Sequence, residues 1–297
     1  MGVARKIYNF LNKYALLNIL SDELHTKLKY RLKMGRSLNL NNPQTFTEKL
    51  SWLKLYDHDP RYLALVDKWD VMEHVANTIG SNYCVKKYGV WDSFDEIDFD
   101  ALPDQFVLKS TNDSGSTVIC KDKSTFDKAA AREKLNCSKK RSYYWYNREW
   151  QYKHLKHRIL AEEYLTDASG DGLIDYKFFC FDGKPEFMFI ATGRATGNTR
   201  FDFFDMDFQW IPVKQHYPNA DVRPSKPAHF EEMKELAQKL SQGLKHVRVD
   251  FFLANDQVYF GELTFVHFGG YERFEPSQYD YEFGKLLTLP ELHNKRK

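Results

Sequence analysis

Apolar residues recur at helical spacing over the first third of the chain, and at alternating or continuous strand spacing over much of the rest. Ile7, Phe10, Leu11, Tyr14 and Leu17 mark an amphipathic helix. "DKWDVMEHVANTIG" predicts a helix with Asp67 as N-cap, Trp69, Met72, Val75 and Ile79 along one side, and Gly80 as its stop. Lys68 then sits at the first helical position. "QFVLKS" reads as a buried strand ending in Lys109, followed by the small-residue loop "STNDSGST" and a second strand, "VICK". "STFDKAAAREKL" predicts a helix capped by Ser124, and "HRILAEEYL" a strand running into Glu162 and Glu163. "DYKFFCFDGKPEFMFIAT" predicts a hairpin turning at Asp182-Gly183, and "HFEEMKELAQKLSQGL" a helix with Gly243 near its end.

The stretch "RVDFFLANDQVYFGELTF" adds a second hairpin. Strict alternation puts Val249, Phe251 and Leu253 on one face and Arg248 and Asp250 on the other. In the return strand Tyr259, Gly261, Leu263 and Phe265 share a face, leaving Glu262 and Thr264 opposite. A three-residue turn at Asn255, Asp256 and Gln257 sets Asp250 directly across from Glu262, with β-carbons about 5 Å apart. A two-residue turn without a bulge sends the two acids to opposite faces. Facing carboxylates suit a hard divalent ion such as Mg²⁺, which takes one or two from protein and completes its shell from water and phosphates. The alternative is a solvated polar face on which Arg248 neutralises both acids.

Composition narrows the partner. The chain has 297 residues, 42% of them hydrophobic, enough for a large core and for two or three lobes. Its 43 basic and 41 acidic residues are nearly balanced, which argues against a dedicated nucleic-acid binder. Cys84, Cys120, Cys137 and Cys180 are scattered without CxxC spacing, as reduced cytoplasmic thiols are. No apolar run reaches membrane-spanning length, and none reads as a signal peptide. The first forty residues carry eight Lys or Arg against Asp22 and Glu23. That suits a basic helix lying on the inner face of an anionic membrane, or a helix packed on the body with its basic face in water.

Lys109 stands beside Ser114, Gly115, Ser116 and Thr117, where a cation and backbone N–H groups can meet phosphate oxygens. Taken in order, "DK", "FVLK" with its small-residue loop, "ILAEEYL", "RVDFF" and "GELTF" resemble an ATP-grasp ligase over residues 67–265. The chain resembles one branch more closely, the TupA-like ATP-grasp family of teichuronopeptide and surface-polysaccharide synthesis. That likeness runs through "TFTEKLSWLKLYD", "GVWDSFDEIDFDALP", "FVLKS", "VICKDK", "DYKFFCFDGKP" and "GELTF", nearly the whole chain. It implies an α+β fold in which two lobes close on ATP: a helical region over 1–100, a small lobe over 101–162 and a large lobe over 163–297.

The resemblance also implies a reaction. ATP converts a carboxylate into an acyl phosphate, and an amine attacks it to give an amide. Lys68 and Lys109 are expected at the ATP phosphates, under the loop of Ser114, Gly115 and Ser116. The hinge acids Glu162 and Glu163 lie beside adenine, with backbone bonds from Glu163 and Leu165, and Asp175 is expected at the ribose. Lys177 is expected at the γ-phosphate and Arg248 at the transferring phosphoryl group. Asp250, Glu262 and Thr264 are expected to hold Mg²⁺, two ions in all; an Asn stands at the Thr264 position in many ATP-grasp enzymes. For the acceptor, a uronic-acid carboxylate of a bacterial surface glycan, Arg194, Arg200, Arg148 and Lys153 are candidates, with stacking aromatics from "SYYWYNREWQY". Rival readings are a glycosyltransferase using Asp205-Met206-Asp207, an ATP-grasp sugar kinase, and a non-catalytic glycan-binding protein.

Overall fold

The computed structural model describes residues 3–113, 115–139, 142–166, 172–194 and 196–291. Helices come first: α1 (Val3–Lys13), α2 (Asp22–Met34), α3 (Phe46–Tyr56), α4 (Arg61–Val66) and α5 (Val71–Ile79). Ser21 caps α2 by accepting the Leu24 N–H at 3.2 Å, and α3 opens on a capping box of Thr45 and Glu48. Asp67 caps at the expected position, but the turn it caps precedes α5, which begins only at Val71. Its Oδ1 accepts the N–H groups of Trp69 at 2.9 Å and Asp70 at 3.1 Å, so Lys68 lies in the turn between α4 and α5. Most of the apolar row read for α1 is not packed on the body. Ile7, Phe10 and Tyr14 are 54%, 58% and 57% exposed, while Tyr8, Asn12 and Leu17 face inward.

A four-stranded antiparallel sheet follows. It is made of β1 (Lys87–Trp91), β2 (Phe106–Ser110), β3 (Thr117–Cys120) and β4 (Ile159–Glu163), in the order β1-β4-β2-β3. It starts ahead of residue 100, and its core draws Phe94, Ile97 and Phe99 from before that point to pack with Phe106, Leu108 and Ile159. Covering it is α6 (Lys128–Lys139), followed by the single turn α7 (Tyr144–Asn147). The cap of α6 is Asp127, whose Oδ1 accepts the Ala130 N–H at 2.9 Å. Ser124 instead gives its hydroxyl to Asp122 at 2.7 Å, inside a short 3₁₀ turn.

The larger sheet runs β11-β10-β5-β6-β7-β8, and all of its pairings are antiparallel. Its strands and neighbours are β5 (Asp175–Phe181), β6 (Lys184–Thr192), β7 (Arg200–Asp205), β8 (Trp210–Ile211), β9 (Lys214–Gln215), α8 (Phe230–Leu240), β10 (His246–Ala254), β11 (Gln257–Thr264), β12 (Phe274–Glu275) and α9 (Gln278–Leu286). β5 is buried along its length because both faces are covered. Phe178 points to Phe230 of α8, with ring centroids 6.0 Å apart, and Phe179 and Phe181 point to Phe46 of α3 at 6.0 and 5.8 Å. Asp175 and Lys177 continue the α3-facing row beyond the helix, and Asp250 lies opposite Lys177 in the ladder.

The β10–β11 hairpin reaches the expected Asp250–Glu262 pairing by a different route. Its turn has two residues, Asn255 and Asp256, at φ 49° and 60°. The ladder then runs in step up to Phe251–Phe260, slips by one residue at Gly261, and resumes at Asp250–Glu262. The bulge lets Val258, Phe260 and Leu263 all face the core, which strict alternation forbids. Among the described residues, no helix is long and apolar enough to cross a membrane.

Candidate active site

The two sheets face one another across a cavity of about 460 Å³. From the small lobe come Lys87, Lys109, Gly115, Thr117 and Glu162, with Lys68 from the turn before α5. The large lobe contributes Asp175, Lys177, Arg194, Arg248, Asp250, Glu262 and Thr264.

Arg248 organises the floor. Its Nε and Nη2 each lie 2.7 Å from an oxygen of Asp250, a two-pronged contact. Nη2 also reaches Glu262 at 3.2 Å and Thr264 Oγ1 at 3.0 Å. Nη1 donates to His267 Nδ1 at 2.6 Å, and His267 Nε2 meets Gln215 Oε1 at 2.7 Å. Guanidinium can only donate, so Nδ1 accepts and the proton of His267 is on Nε2. Burial and then the Arg248 charge hold this imidazole well below its ordinary pKa. Lys177 bridges Asp250 and Asp175, the latter at 3.1 Å, and Arg194 meets Asp175 at 2.6 Å. Arg248 thus pairs with both acids, but on a face where it and Asp250 are buried and not solvated. Burial alone would raise the Glu262 carboxyl, but Lys177, Arg248 and Lys68 outweigh it and lower its pKa.

On the opposite wall Glu162 is clamped between Lys109 and Lys87, the latter at 2.9 Å. Burial opposes ionisation there, yet the two lysines hold the carboxyl at about 2. Lys68 donates to the carbonyls of Ser110, at 3.2 Å, and Asp113, which ties it to the small-residue loop. Ser114 lies outside the described residues, and Ser116 gives its hydroxyl to Asp113.

Several candidates sit elsewhere. Glu163 donates its N–H to the Lys86 carbonyl at 2.9 Å, and neither it nor Leu165 lines the cavity. Arg200, at the start of β7, donates to the Thr199 carbonyl at 3.4 Å and lies outside the cavity lining. Arg148 is 1% exposed: it ends α7 at φ 60° and turns its guanidinium inward to the Leu17 carbonyl at 2.9 Å, near Asp22. The chain path, set by a left-handed residue, takes it away from any substrate carboxylate. Asp205 accepts the N–H groups of Asp207 at 3.0 Å and Gln209 at 2.8 Å, a turn cap rather than a metal motif.

Lys87, Glu149, His216 and Tyr217, not singled out in the sequence, also line the cavity, and Tyr143 and Tyr152 come from the aromatic stretch "SYYWYNREWQY". A lysine inside the short strand of "VKKYGVW" is the one local signal for Lys87. Among the described residues, no group of three His, Cys, Asp or Glu side chains suits a metal. Asp250, Glu262 and Thr264 nevertheless form an oxygen-only donor set with two carboxylates, which fits Mg²⁺ when phosphate and water supply the rest.

A sequence model of the family described as TupA-like ATPgrasp matches residues 48–288. Among solved structures, D-alanine–D-alanine ligase from Bacillus anthracis complexed with ATP is similar at 15% identity, over 68% of this chain and 55% of that one, with TM-score 0.41. The ATP-grasp ligase PsnB complexed with minimal precursor is similar at 11% identity, over 73% and 59%, with TM-score 0.41. D-cycloserine synthetase DcsG is similar at 14% identity, over 76% and 70%, with TM-score 0.41. The chain thus spans little more than half the length of the first two. No curated protein matches it.

Proposed function

This chain belongs to the TupA-like ATP-grasp family and has an ATP-grasp α+β fold, and from its cleft we propose that it is an ATP-dependent carboxylate–amine ligase. The observation that carries the reading is the charge of the cavity. Six cations, Lys68, Lys87, Lys109, Lys177, Arg194 and Arg248, converge there with five carboxylates, Glu149, Glu162, Asp175, Asp250 and Glu262, an array suited to a nucleoside triphosphate held together with a divalent ion.

In this reading Lys68 and Lys109 hold phosphate oxygens, and the loop of Ser114, Gly115 and Ser116 covers them. The end of β4, where Glu162 lines the cavity, takes adenine, and Asp175 the ribose. Asp250, Glu262 and Thr264 hold Mg²⁺, two ions in all, which supply charge neutralisation at the phosphates. A substrate carboxylate oxygen attacks the γ-phosphorus and the bond to ADP breaks, with Lys177 and Arg248 stabilising the transferred group. The amine nitrogen then attacks the acyl carbon, and phosphate leaves.

Arg194, at the cavity edge, orients the carboxylate, with Arg200 further out. We take that carboxylate to be a uronic acid of a bacterial surface glycan. A neighbouring cavity of about 470 Å³ shares His216 and Tyr217 with the first and adds Lys33, Lys214 and Arg273 beside Glu272 and Glu275, and its three cations offer partners to a polyuronate. The cytoplasm, at the inner face of a membrane, is the proposed place of work. Four free cysteines and the exposed apolar row of α1 support it.

The test is ADP release from ATP, dependent on both a uronate and an amino acid, with the amide detected by mass spectrometry. Asp250→Asn and Glu262→Gln are expected to abolish turnover and leave the circular dichroism spectrum unchanged. Formation of a phosphosugar without amide, or consumption of a nucleotide sugar without ADP, overturns the reading.

A further inference from the structure

Glu149 lies between α7 and β4 and lines the cleft although it is 3% exposed. Its two oxygens accept from neutral amides, Asn147 Nδ2 at 3.0 Å and Gln151 Nε2 at 3.4 Å. Two cations behind it pull on its charge while each also holds a carbonyl of its own. Lys54 of α3 donates to the Gly269 carbonyl at 2.7 Å and lies 3.9 Å from the Tyr271 ring centre. Lys29 of α2 donates to the Tyr146 carbonyl at 2.7 Å and to Asn147 Oδ1 at 2.6 Å. A buried carboxylate satisfied by neutral donors is costly to keep ionised unless a cation docks on its open side. Here the open side is the cleft.

We propose that Glu149 is the amine subsite of the ligase: its carboxylate receives the attacking amine as an ammonium and takes one proton from it. The proposal rests on the ligase reading above. Tyr143 and Tyr152, with ring centroids 4.8 Å apart, line the cleft beside Glu149 and give the ammonium aromatic walls. Both tyrosines also feel the charge of Glu262, which links this subsite to the floor of the cleft.

The proton count closes. One proton passes from the ammonium to Glu149, the freed nitrogen forms the C–N bond, and the C–O bond to phosphate breaks. The second proton leaves with the departing phosphate. The titratable groups around Glu149 are Lys29, Lys54, Tyr143, Tyr152 and Tyr271. Burial pushes its carboxyl up to about 7 against the pull of Lys54, Asn147 and Lys29, within reach of a general base at neutral pH.

The experiment supplies ATP, Mg²⁺ and glucuronate with either hydroxylamine, which is unprotonated at neutral pH, or an equimolar mixture of amino acids. Wild type is expected to yield hydroxamate and amide, with a break in the amide pH profile near neutrality. Glu149→Gln is expected to slow amide formation roughly 100-fold or more and erase that break, while hydroxamate formation changes less than about threefold. Glu149→Asp should recover part of the amide rate. Equal loss of both products, loss of neither, or a wild type that makes hydroxamate but no amide overturns the subsite. A wild type that releases no ADP and makes no hydroxamate overturns the ligase reading itself.

Discussion

Burial holds both His267 and His246 neutral, and at His267 the Arg248 charge adds to it. His267 accepts from Arg248, so a second positive charge there would face a guanidinium. His246 sits under Phe46 and Phe181 with Nδ1 at 3.1 Å from the Cys180 carbonyl, and burial pulls its pKa down to about 3. A depressed folded value means that stability is fully present above the unfolded value of 6.5 and drains away as pH falls toward about 3. Between about pH 7 and about pH 5, His246 is expected to cost about 2 kcal/mol, read from urea unfolding. His246→Gln, which can still donate to Cys180 but cannot ionise, should flatten that fall, and an unchanged slope would contradict it. At this scale the sequence revealed Asp250 and Glu262 as facing acids, although the bulge at Gly261, and not alternation, sets them across from each other. Lys87 and Glu149 escaped, because their roles come from contacts distant in sequence: Lys87 with Glu162, and Glu149 with helices more than ninety residues earlier.

Gly261 decides what the hairpin presents. A β-carbon there would lie 3.1 Å from the Asp250 carbonyl oxygen and 3.1 Å from the Phe252 ring. Gly261→Ala should therefore cost roughly 1–3 kcal/mol in unfolding free energy by forcing the bulge open. A melting temperature equal to wild type would show that the strands adjust freely. The signal for this bulge was present in the chain: apolar positions change parity between Phe260 and Leu263, which a regular strand with one buried face does not do. Other elements were legible in kind and displaced at their ends. Asp67 and Asp127 both cap, but α5 begins at Val71 and the cap of α6 is three residues later than Ser124, because several polar side chains compete for the same orphan N–H groups.

At the scale of the whole molecule the described residues form two hydrophobic cores, one under each sheet, and α2, α3 and α5 join the larger through Tyr30, Phe46, Leu50 and Val75. Fold class and the order of the pieces were readable because each strand and helix carries its own periodicity. The start of the small lobe was not, since β1 is short and is recruited by pairing with β4. The exposed row of α1 belongs to this scale too. With Arg5, Lys6 and Lys13 and no acid before Asp22, that end of the chain is suited to anionic lipid. Co-sedimentation should show binding to vesicles of mixed phosphatidylglycerol and phosphatidylcholine, loss of binding at high salt, and an affinity about tenfold weaker for Phe10→Ala. Equal binding to pure phosphatidylcholine would remove the charge argument.

Two cores with a polar seam between them make two cooperative units, each able to open on its own account. Whatever fills the seam touches both, so its binding free energy is shared as coupling between them. In thermodynamic terms, the ligand serves as a temporary third core.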